Sequence, residues 1–377
     1  MTRVRSGLDR LLAPRSIALV GASGDPRKFG GRPLAALRRH GYDGEIVAVT
    51  PGRAEVQGVP CLRSASDLPD GIDLAVILLP APEVLPALRA CAGRGVPAAA
   101  VLGGGFAESG PEGEARQHDL AALAAETGMR ILGPNCPGFV NVRAGIACSA
   151  SAFATREEML PGPVSLVLGS GAIAGILADR AFDRGIGLGM VVCTGNAVDV
   201  PVAEVVRHLA DDGETRAIGL FLEGVDPGLV DALREARLSG LGVAVLKVGR
   251  SERARSIVAS HTAAIVGSDA AFDAACASLG VVRVDDYDEL LETAHLLATA
   301  PRPGRRLAVV GSSGGMNAAV ADAADRHGLA LPPLSPATVA ELGRIGPDFG
   351  SAATPVDLSC ALLVDPGGLG RALAVLA

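Results

Sequence analysis

The segment from Lys247 to Asp269, K-V-G-R-S-E-R-A-R-S-I-V-A-S-H-T-A-A-I-V-G-S-D, gathers the residue types that handle phosphate. His261 sits among Ser260, Thr262, Gly267 and Ser268, and Lys247, Arg250, Arg253 and Arg255 precede it. Small hydroxyl residues and glycine leave backbone N–H groups open to an anion, and nearby cations favour one. A histidine in such a loop can act as a general base or as a nucleophile that takes up a phosphoryl group. Taken alone, a histidine in a loop is more often a polar surface residue.

Three glycine-rich turns add to this. The first, V-G-A-S-G-D-P-R-K-F-G-G, spaces Gly21, Gly24, Gly30 and Gly31 more loosely than a G-x-G-x-x-G dinucleotide fingerprint and places Arg27 and Lys28 among them. Helix N-termini that follow such turns bind phosphates through orphan donors and the macrodipole. The next strand, E-I-V-A-V-T-P-G-R, ends on Thr50 and Arg53 with no acid to hold ribose hydroxyls. An arginine there favours an added phosphate, as in NADP or the 3′-phosphate of coenzyme A. In the second turn, L-G-S-G-A-I-A-G, Ser170 and the N–H groups of Gly171 and Ala172 are set to meet an anion. The third, G-S-S-G-G-M, is similar and less informative. Each turn also reads as a plain tight connection between strand and helix.

These turns need strands and helices to hold them. Short apolar runs at 15–23, 45–51, 73–80, 96–105 and 129–135 alternate with helical stretches near 83–94 and 111–127, which predicts a doubly wound parallel sheet. A second series of strands is predicted at 164–175, 188–196, 217–224, 243–250 and 281–286, and a third unit opens at 306–316 with no obvious second strand. The expected domains are 8–141, 155–302 and 305–377, with 142–162 read as a linker. The third is about half the length of the others and is expected to be partial.

Composition agrees with covered parallel sheets: 49% hydrophobic residues, 49 glycines, no tryptophan and two tyrosines. A net charge of −7 without a basic stripe excludes nucleic acid as a partner. No apolar stretch reaches the ~18 residues of a membrane span, and the N-terminus lacks the apolar run of a secretory signal. The seven cysteines are scattered with no C-x-x-C pair, which predicts free thiols, no metal site and a cytoplasmic location.

Several stretches in order resemble one family. They are S-I-A-L-V-G-A-S-G-D-P-R-K-F-G-G, V-T-P-G-R, L-L-P-A-P, G-P-N-C-P-G, G-S-G-A, T-G-N-A-V-D-V, L-F-L-E-G, G-R-S-E-R-A-R-S-I-V-A-S-H-T-A-A and T-P-V-D-L. The chain resembles the CoA-binding and ligase portion of the NDP-forming acyl-CoA synthetases. These include the ADP-forming acetyl-CoA synthetases and the α subunit of succinyl-CoA synthetase. The resemblance implies an α/β architecture: a Rossmann-like CoA-binding domain, then flavodoxin-like domains of the succinyl-CoA-synthetase type. It implies an acid–thiol ligase that forms acyl-CoA, NDP and phosphate from a small carboxylic acid, coenzyme A and NTP. His261 would be transiently phosphorylated, Glu223 would hold its other ring nitrogen, and Ser170, Gly171 and Ala172 would receive the phosphate. Gly21, Ser23, Lys28, Phe29 and Gly30 would surround coenzyme A, with Arg53 at its phosphates and Pro80 to Pro82 at its adenine. Asn135 and Cys136 would face the thiol, Cys136 as a wall and not a nucleophile.

Two positions depart from the family pattern: Leu168 stands where S-Q-S-G has its first serine, and Ala263 replaces the glycine of S-H-T-G-A. The chain shows no ATP-grasp segment, so ATP or GTP with Mg2+ is expected at an ATP-grasp β-type partner, within an oligomer. Two other readings follow from the same residues, a non-catalytic CoA- or acyl-CoA-binding module and an NADP-dependent oxidoreductase.

Overall fold

The structure, a computed structural model, describes residues 6–261, 268–300, 304–346 and 351–377, apart from the side chains of 259–261. The chain divides into two units, 1–299 and 300–377.

In the first unit the apolar runs become β1 (Ser16–Val20), β2 (Glu45–Val49), β3 (Glu55–Val56), β4 (Val59–Leu62), β5 (Leu74–Ile77), β6 (Ala98–Val101) and β7 (Arg130–Leu132). They form one seven-stranded sheet in the order β3-β4-β2-β1-β5-β6-β7. All residues of β1, β5 and β6 are buried, as strands covered on both faces require. The covering helices are α1 (Gly7–Leu12), α2 (Arg32–Arg39), α3 (Ala81–Gly93) and α4 (Pro111–Thr127). Only β3 runs antiparallel, joined to β4 by a two-residue turn in which Gln57 and Gly58 have φ of 48° and 76°. Positive φ at both central residues is what a tight hairpin of the right twist demands.

The second sheet has the order β14-β13-β12-β10-β11-β8-β9. Its strands are β8 (Gly138–Asn141), β9 (Ile146–Ser149), β10 (Pro161–Leu168), β11 (Leu188–Cys193), β12 (Ala217–Leu222), β13 (Gly242–Lys247) and β14 (Val282–Arg283). Its helices are α5 (Gly171–Asp183), α6 (Val202–Ala210), α7 (Leu229–Leu238), α8 (Glu252–His261), α9 (Asp269–Leu279) and α10 (Tyr287–Thr299). Segment 142–162, read from the sequence as a linker, instead contains β9, a 3₁₀ turn at Ala152–Thr155 and the start of β10. The β8–β9 hairpin pairs antiparallel with β11 and so extends the second sheet. Every residue of β8 and β9 is buried despite the mixed polarity of the stretch.

The two sheets share one apolar core, to which Leu34, Phe139, Phe153 and Leu166 all belong. Polar ties add to it: Arg130 on β7 reaches Asp199 at 2.9 Å and Glu204 at 2.6 Å, and Asp199 also accepts the Ile131 N–H at 2.8 Å.

The second unit pairs β15 (Val310–Gly311) with β16 (Val356–Asp357) in parallel, with helices α11 (Gly314–Arg326), α12 (Pro336–Leu342), α13 (Ala361–Val364) and α14 (Gly368–Leu376). Leu342, Val356, Leu358 and Ala372 form its buried core. The strand expected at 306–311 is shorter, and its partner is the T-P-V-D-L stretch.

Candidate active site

His261 was expected in a loop; it is the last residue of α8. The sequence E-R-A-R-S-I-V-A-S is mostly helix-compatible, and the Ser251 hydroxyl accepts the Ala254 N–H at 3.1 Å to start the helix. The His261 side chain and Ala263 lie outside the described residues.

The glycine turn after β1 is held from several sides. Gly21 has φ of 89°, and a Cβ there would stand 2.7 Å from Leu79 Cδ2. Ser23 N–H donates to Gly30 at 3.0 Å, and the Thr50 hydroxyl donates to Ala22 at 3.1 Å. The Gln57 amide donates to the carbonyls of Ser23 at 2.9 Å and Gly31 at 3.0 Å. Gln57 was missed by sequence reading; nothing local marks a hairpin residue as the clamp of a loop 26 positions away. Arg53 is brought to this turn, since a Cβ on Gly24 would lie 3.1 Å from Arg53 Nη1. With Arg63 and Cys61, Arg53 lines a cavity of about 540 Å3. Lys28 is exposed and Phe29 half-exposed beside the turn. Arg27 is engaged with Asp25, whose carboxyl it holds below the usual range. Pro80 caps α3 and Pro82 lies in its first turn.

A second cavity, of about 380 Å3, joins the two sheets. Phe29, Asn135 and Cys136 line it from the first, and Ser170, Gly171, Ala172 and Glu223 from the second. Thus residues more than 190 positions apart share one wall. Ser170 is the N-cap of α5 and makes no capping bond with its side chain. Gly171 packs so closely on Pro137 that a Cβ would stand 2.7 Å from its Cδ. Leu168 is fully buried at the end of β10, so its side chain belongs to the core. Glu223 directly follows β12 and also lines a neighbouring cavity of about 270 Å3 with Phe221, Val202, Glu108 and Asn196.

An amide–carboxylate network supports the junction. Asn135 has φ of 58° and donates from its amide to Asn196 Oδ1 at 3.2 Å. Asn196 donates to Glu108 at 2.6 Å and Gln117 at 2.8 Å, while Glu108 accepts the N–H of Gly105 at 2.7 Å. Burial works against ionising Glu108, but the Asn196 amide and the N–H groups of Phe106 and Gly105 outweigh it and hold its carboxyl below the ordinary value. Sequence reading quoted Asn196 within T-G-N and gave it no role; Glu108 carried no signal. Cys136 is buried in the lining of this cavity, and burial pushes its thiol up to about 12, which disfavours the thiolate at neutral pH.

One expectation is corrected. Lys247 was counted among the cations available to an anion, but it is buried and its Nζ donates to Asp269 at 3.0 Å. Arg250 is ion-paired with Asp285. Arg253 is exposed. Among the described residues no cluster of His, Cys, Asp and Glu could hold a metal, and no helix is long and apolar enough to cross a membrane.

The chain matches a CoA binding domain over residues 15–142 and a succinyl-CoA ligase like flavodoxin domain over 161–297. It is 35% identical over 362 residues to the α subunit of acetate–CoA ligase (ADP-forming) I from Pyrococcus furiosus, covering 93% of this chain and 76% of that one. Trans-feruloyl-CoA synthase from an unknown prokaryotic organism is 34% identical over 366 residues, covering 95% of this chain and 51% of that one. Among solved structures, the Ca. Korarchaeum cryptofilum dinucleotide forming acetyl-coenzyme A synthetase 1 in complex with phosphate and ADP superposes with a TM-score of 0.85 at 31% identity, over 93% of this chain and 75% of that one. The chain therefore belongs to the NDP-forming acyl-CoA synthetase superfamily. The expected fold, a CoA-binding domain followed by a succinyl-CoA-ligase-like flavodoxin domain with largely parallel sheets, is the one observed.

Proposed function

We propose that this chain is the α-type subunit of an ADP-forming acyl-CoA synthetase that moves phosphate through His261. The observation that carries this is the shared cavity, where Asn135 and Cys136 meet the N-terminus of α5 and Glu223. Coenzyme A would lie along the β1 turn with its 3′-phosphate near Arg53 and its adenine near Pro80 and Pro82. Its thiol would then reach Cys136. Gly21, Ser23, Lys28, Phe29 and Gly30 would line its path.

In the synthetic direction, a carboxylate oxygen attacks phosphorus on phosphorylated His261; the P–N bond breaks and an acyl phosphate forms. The thiol sulfur then attacks the acyl carbon, its proton leaves, and the C–O bond to phosphate breaks, releasing phosphate and acyl-CoA. Ser170 and the N–H groups of Gly171 and Ala172 hold the phosphoryl oxygens, where orphan donors and the helix dipole favour negative charge. Glu223 keeps the imidazole tautomer that leaves one nitrogen free to attack. Passing phosphate through histidine divides one displacement into two in-line steps.

An ATP-grasp β-type subunit would supply NTP and Mg2+, and the pair makes the working oligomer. Seven free thiols suit the reducing cytoplasm. The test is acid-labile phosphohistidine after mixing with acetyl [32P]phosphate: wild type should label and His261→Asn should not. Label retained in the variant would discard the mechanism; a wild-type chain that binds CoA but never labels would favour a non-catalytic CoA-binding module.

A further inference from the structure

Glu108, Gln117, Asn196 and Asn135 form a chain of side chains with only one consistent arrangement of donors and acceptors. It starts from the backbone. The N–H groups of Gly105 and Phe106 donate to Glu108 Oε1 at 2.7 and 3.1 Å, which leaves Oε2 for another donor. That donor is the Asn196 side chain, at 2.6 Å. A carboxylate held below its ordinary value is ionised at neutral pH and only accepts. The Asn196 atom that faces it is therefore the amide nitrogen. Gln117 makes the same demand. The Ala107 N–H donates to its Oε1 at 3.4 Å, and that oxygen also accepts from Asn196 at 2.8 Å.

With its nitrogen committed, Asn196 presents Oδ1 to Asn135, which donates to it from Nδ2 at 3.2 Å. The Oδ1 of Asn135 is then left on the opposite side. It stands beside Gly104, where a Cβ would lie 3.3 Å from it. Gly104, Asn135 and Cys136 line the same cavity of about 380 Å3. Glu108, Gln117 and Asn196 are partly buried, whereas Asn135 is exposed. The chain thus runs from buried backbone to the cavity surface, and what it delivers there is an acceptor. Four non-glycine residues have positive φ among the described ones, and two of them, Asn135 at 58° and Ala197 at 50°, lie at this junction. The Asn135 N–H donates to Gly103 and the Asn196 N–H to Pro134, both at 2.9 Å. Such backbone persists only where its surroundings over-determine it, and it concentrates at functional sites.

We propose that Glu108 and Asn196 are positioning residues that fix the side-chain amide of Asn135, so that its Oδ1 accepts a hydrogen bond from the thiol end of coenzyme A. The donor there is the S–H or the amide N–H nearest to it. This rests on reading the cavity as the place of the thiol. Glu108 and Asn196 act through Asn135.

A swap of amide and carboxylate in the full chain tests it. In Glu108→Gln the N–H groups of Gly105 and Phe106 keep the new amide oxygen on their side, so its nitrogen meets the Asn196 nitrogen. In Asn196→Asp a second carboxylate meets Glu108. Combining the two again sets a donor opposite an acceptor and leaves an oxygen facing Asn135. Affinities for CoA, desulfo-CoA and 3′-phospho-ADP, which is CoA without its pantetheine arm, are compared by calorimetry. Each single variant should bind CoA about tenfold more weakly, because a donor then faces a donor. The double variant should return to within about threefold of wild type, since the two sites act as one unit. Affinity for 3′-phospho-ADP should stay within about twofold throughout, because that ligand lacks the thiol end. Its loss in step with CoA would mark general damage and overturn the proposal, as would a double variant no better than the worse single. A loss shared by desulfo-CoA assigns the N–H and a loss confined to CoA assigns the S–H; both uphold the proposal. If neither single variant folds, Asn135→Gly decides, because glycine adopts positive φ freely, and unchanged CoA affinity there overturns the proposal. A wild-type chain that binds CoA no better than 3′-phospho-ADP would instead sink the placing of the thiol in this cavity.

Discussion

Arg53 and Cys136 show how far a single side chain can be interpreted. Arg53 was noticed because an acid was missing after β2, and the structure brings it beside Gly24 in a cavity shared with Arg63. Arg53→Glu should weaken CoA binding by about tenfold or more and affect dephospho-CoA less, as loss of a charge-assisted phosphate contact would. Calorimetry with both ligands checks this; equal losses would take Arg53 away from the 3′-phosphate. Cys136 was read from the sequence as a wall and not a nucleophile, and in the structure it is a buried residue of the cavity lining. With its thiol pushed up to about 12 by burial, and Cys148 and Cys193 also raised, these three should resist a thiol reagent such as DTNB at pH 8. Exposed Cys360 should react first. Mass mapping of the labelled peptide decides the order, and early modification of Cys136 would contradict its buried placement.

At the scale of elements, the parallel strands were legible because their apolar runs are buried on both faces and bounded by glycine. What was not legible is what depends on pairing across long separations. The β3–β4 hairpin is too short to announce itself, and the β8–β9 hairpin joins the second sheet through an antiparallel contact with β11 that no local pattern encodes. The helix ending at His261 was mistaken for a loop because its serines and arginines lack an apolar stripe; only Val258 is buried among its described side chains. Within the phosphate turn, the need for glycine at 171 is a matter of contact and not of φ. A methyl group there would press on the Pro137 ring, which cannot rotate away, so Gly171→Ala should destabilise the chain by roughly 1–3 kcal/mol, as overpacking does. Urea unfolding measures this, and a cost near zero would mean that the Pro137 loop gives way freely.

The first unit is organised around its two seven-stranded sheets, where buried carboxylates meet their donors. Glu108 and Asp212 both work against burial and are both held below their ordinary values. Asn196 and backbone N–H groups hold Glu108; Thr215, the Glu214 N–H and Arg143 hold Asp212. A carboxyl whose folded value is lowered stabilises the fold at pH above its unfolded value of about 4, and that contribution is lost as pH falls through the lower folded value. Acid unfolding of the first unit should therefore begin below about pH 4, and Asp212→Asn should flatten the pH dependence there while lowering stability at pH 7. Circular dichroism across pH 2–7 checks it; an unchanged slope in the variant would assign the acid sensitivity elsewhere.

Ser170 to Ala172, Glu223, Asn135, Cys136 and the turn after β1 all belong to the first unit, so under the proposed function CoA binding and labelling by acyl phosphate are expected of this chain by itself. The Pyrococcus furiosus proteins are α subunits, of which it covers 76%, while it spans 50–52% of the Archaeoglobus fulgidus ligases named without a subunit. In the proposed division of labour, NTP is handled by the ATP-grasp partner and reaches this chain only as phosphate on His261. The purified chain should therefore label with acetyl phosphate but show no NTP-dependent acyl-CoA formation, and adding the partner should restore turnover. A coupled assay of ADP release with acid, CoA and ATP measures both conditions. Full turnover by the chain alone would place nucleotide chemistry within its own residues and end the case for a partner.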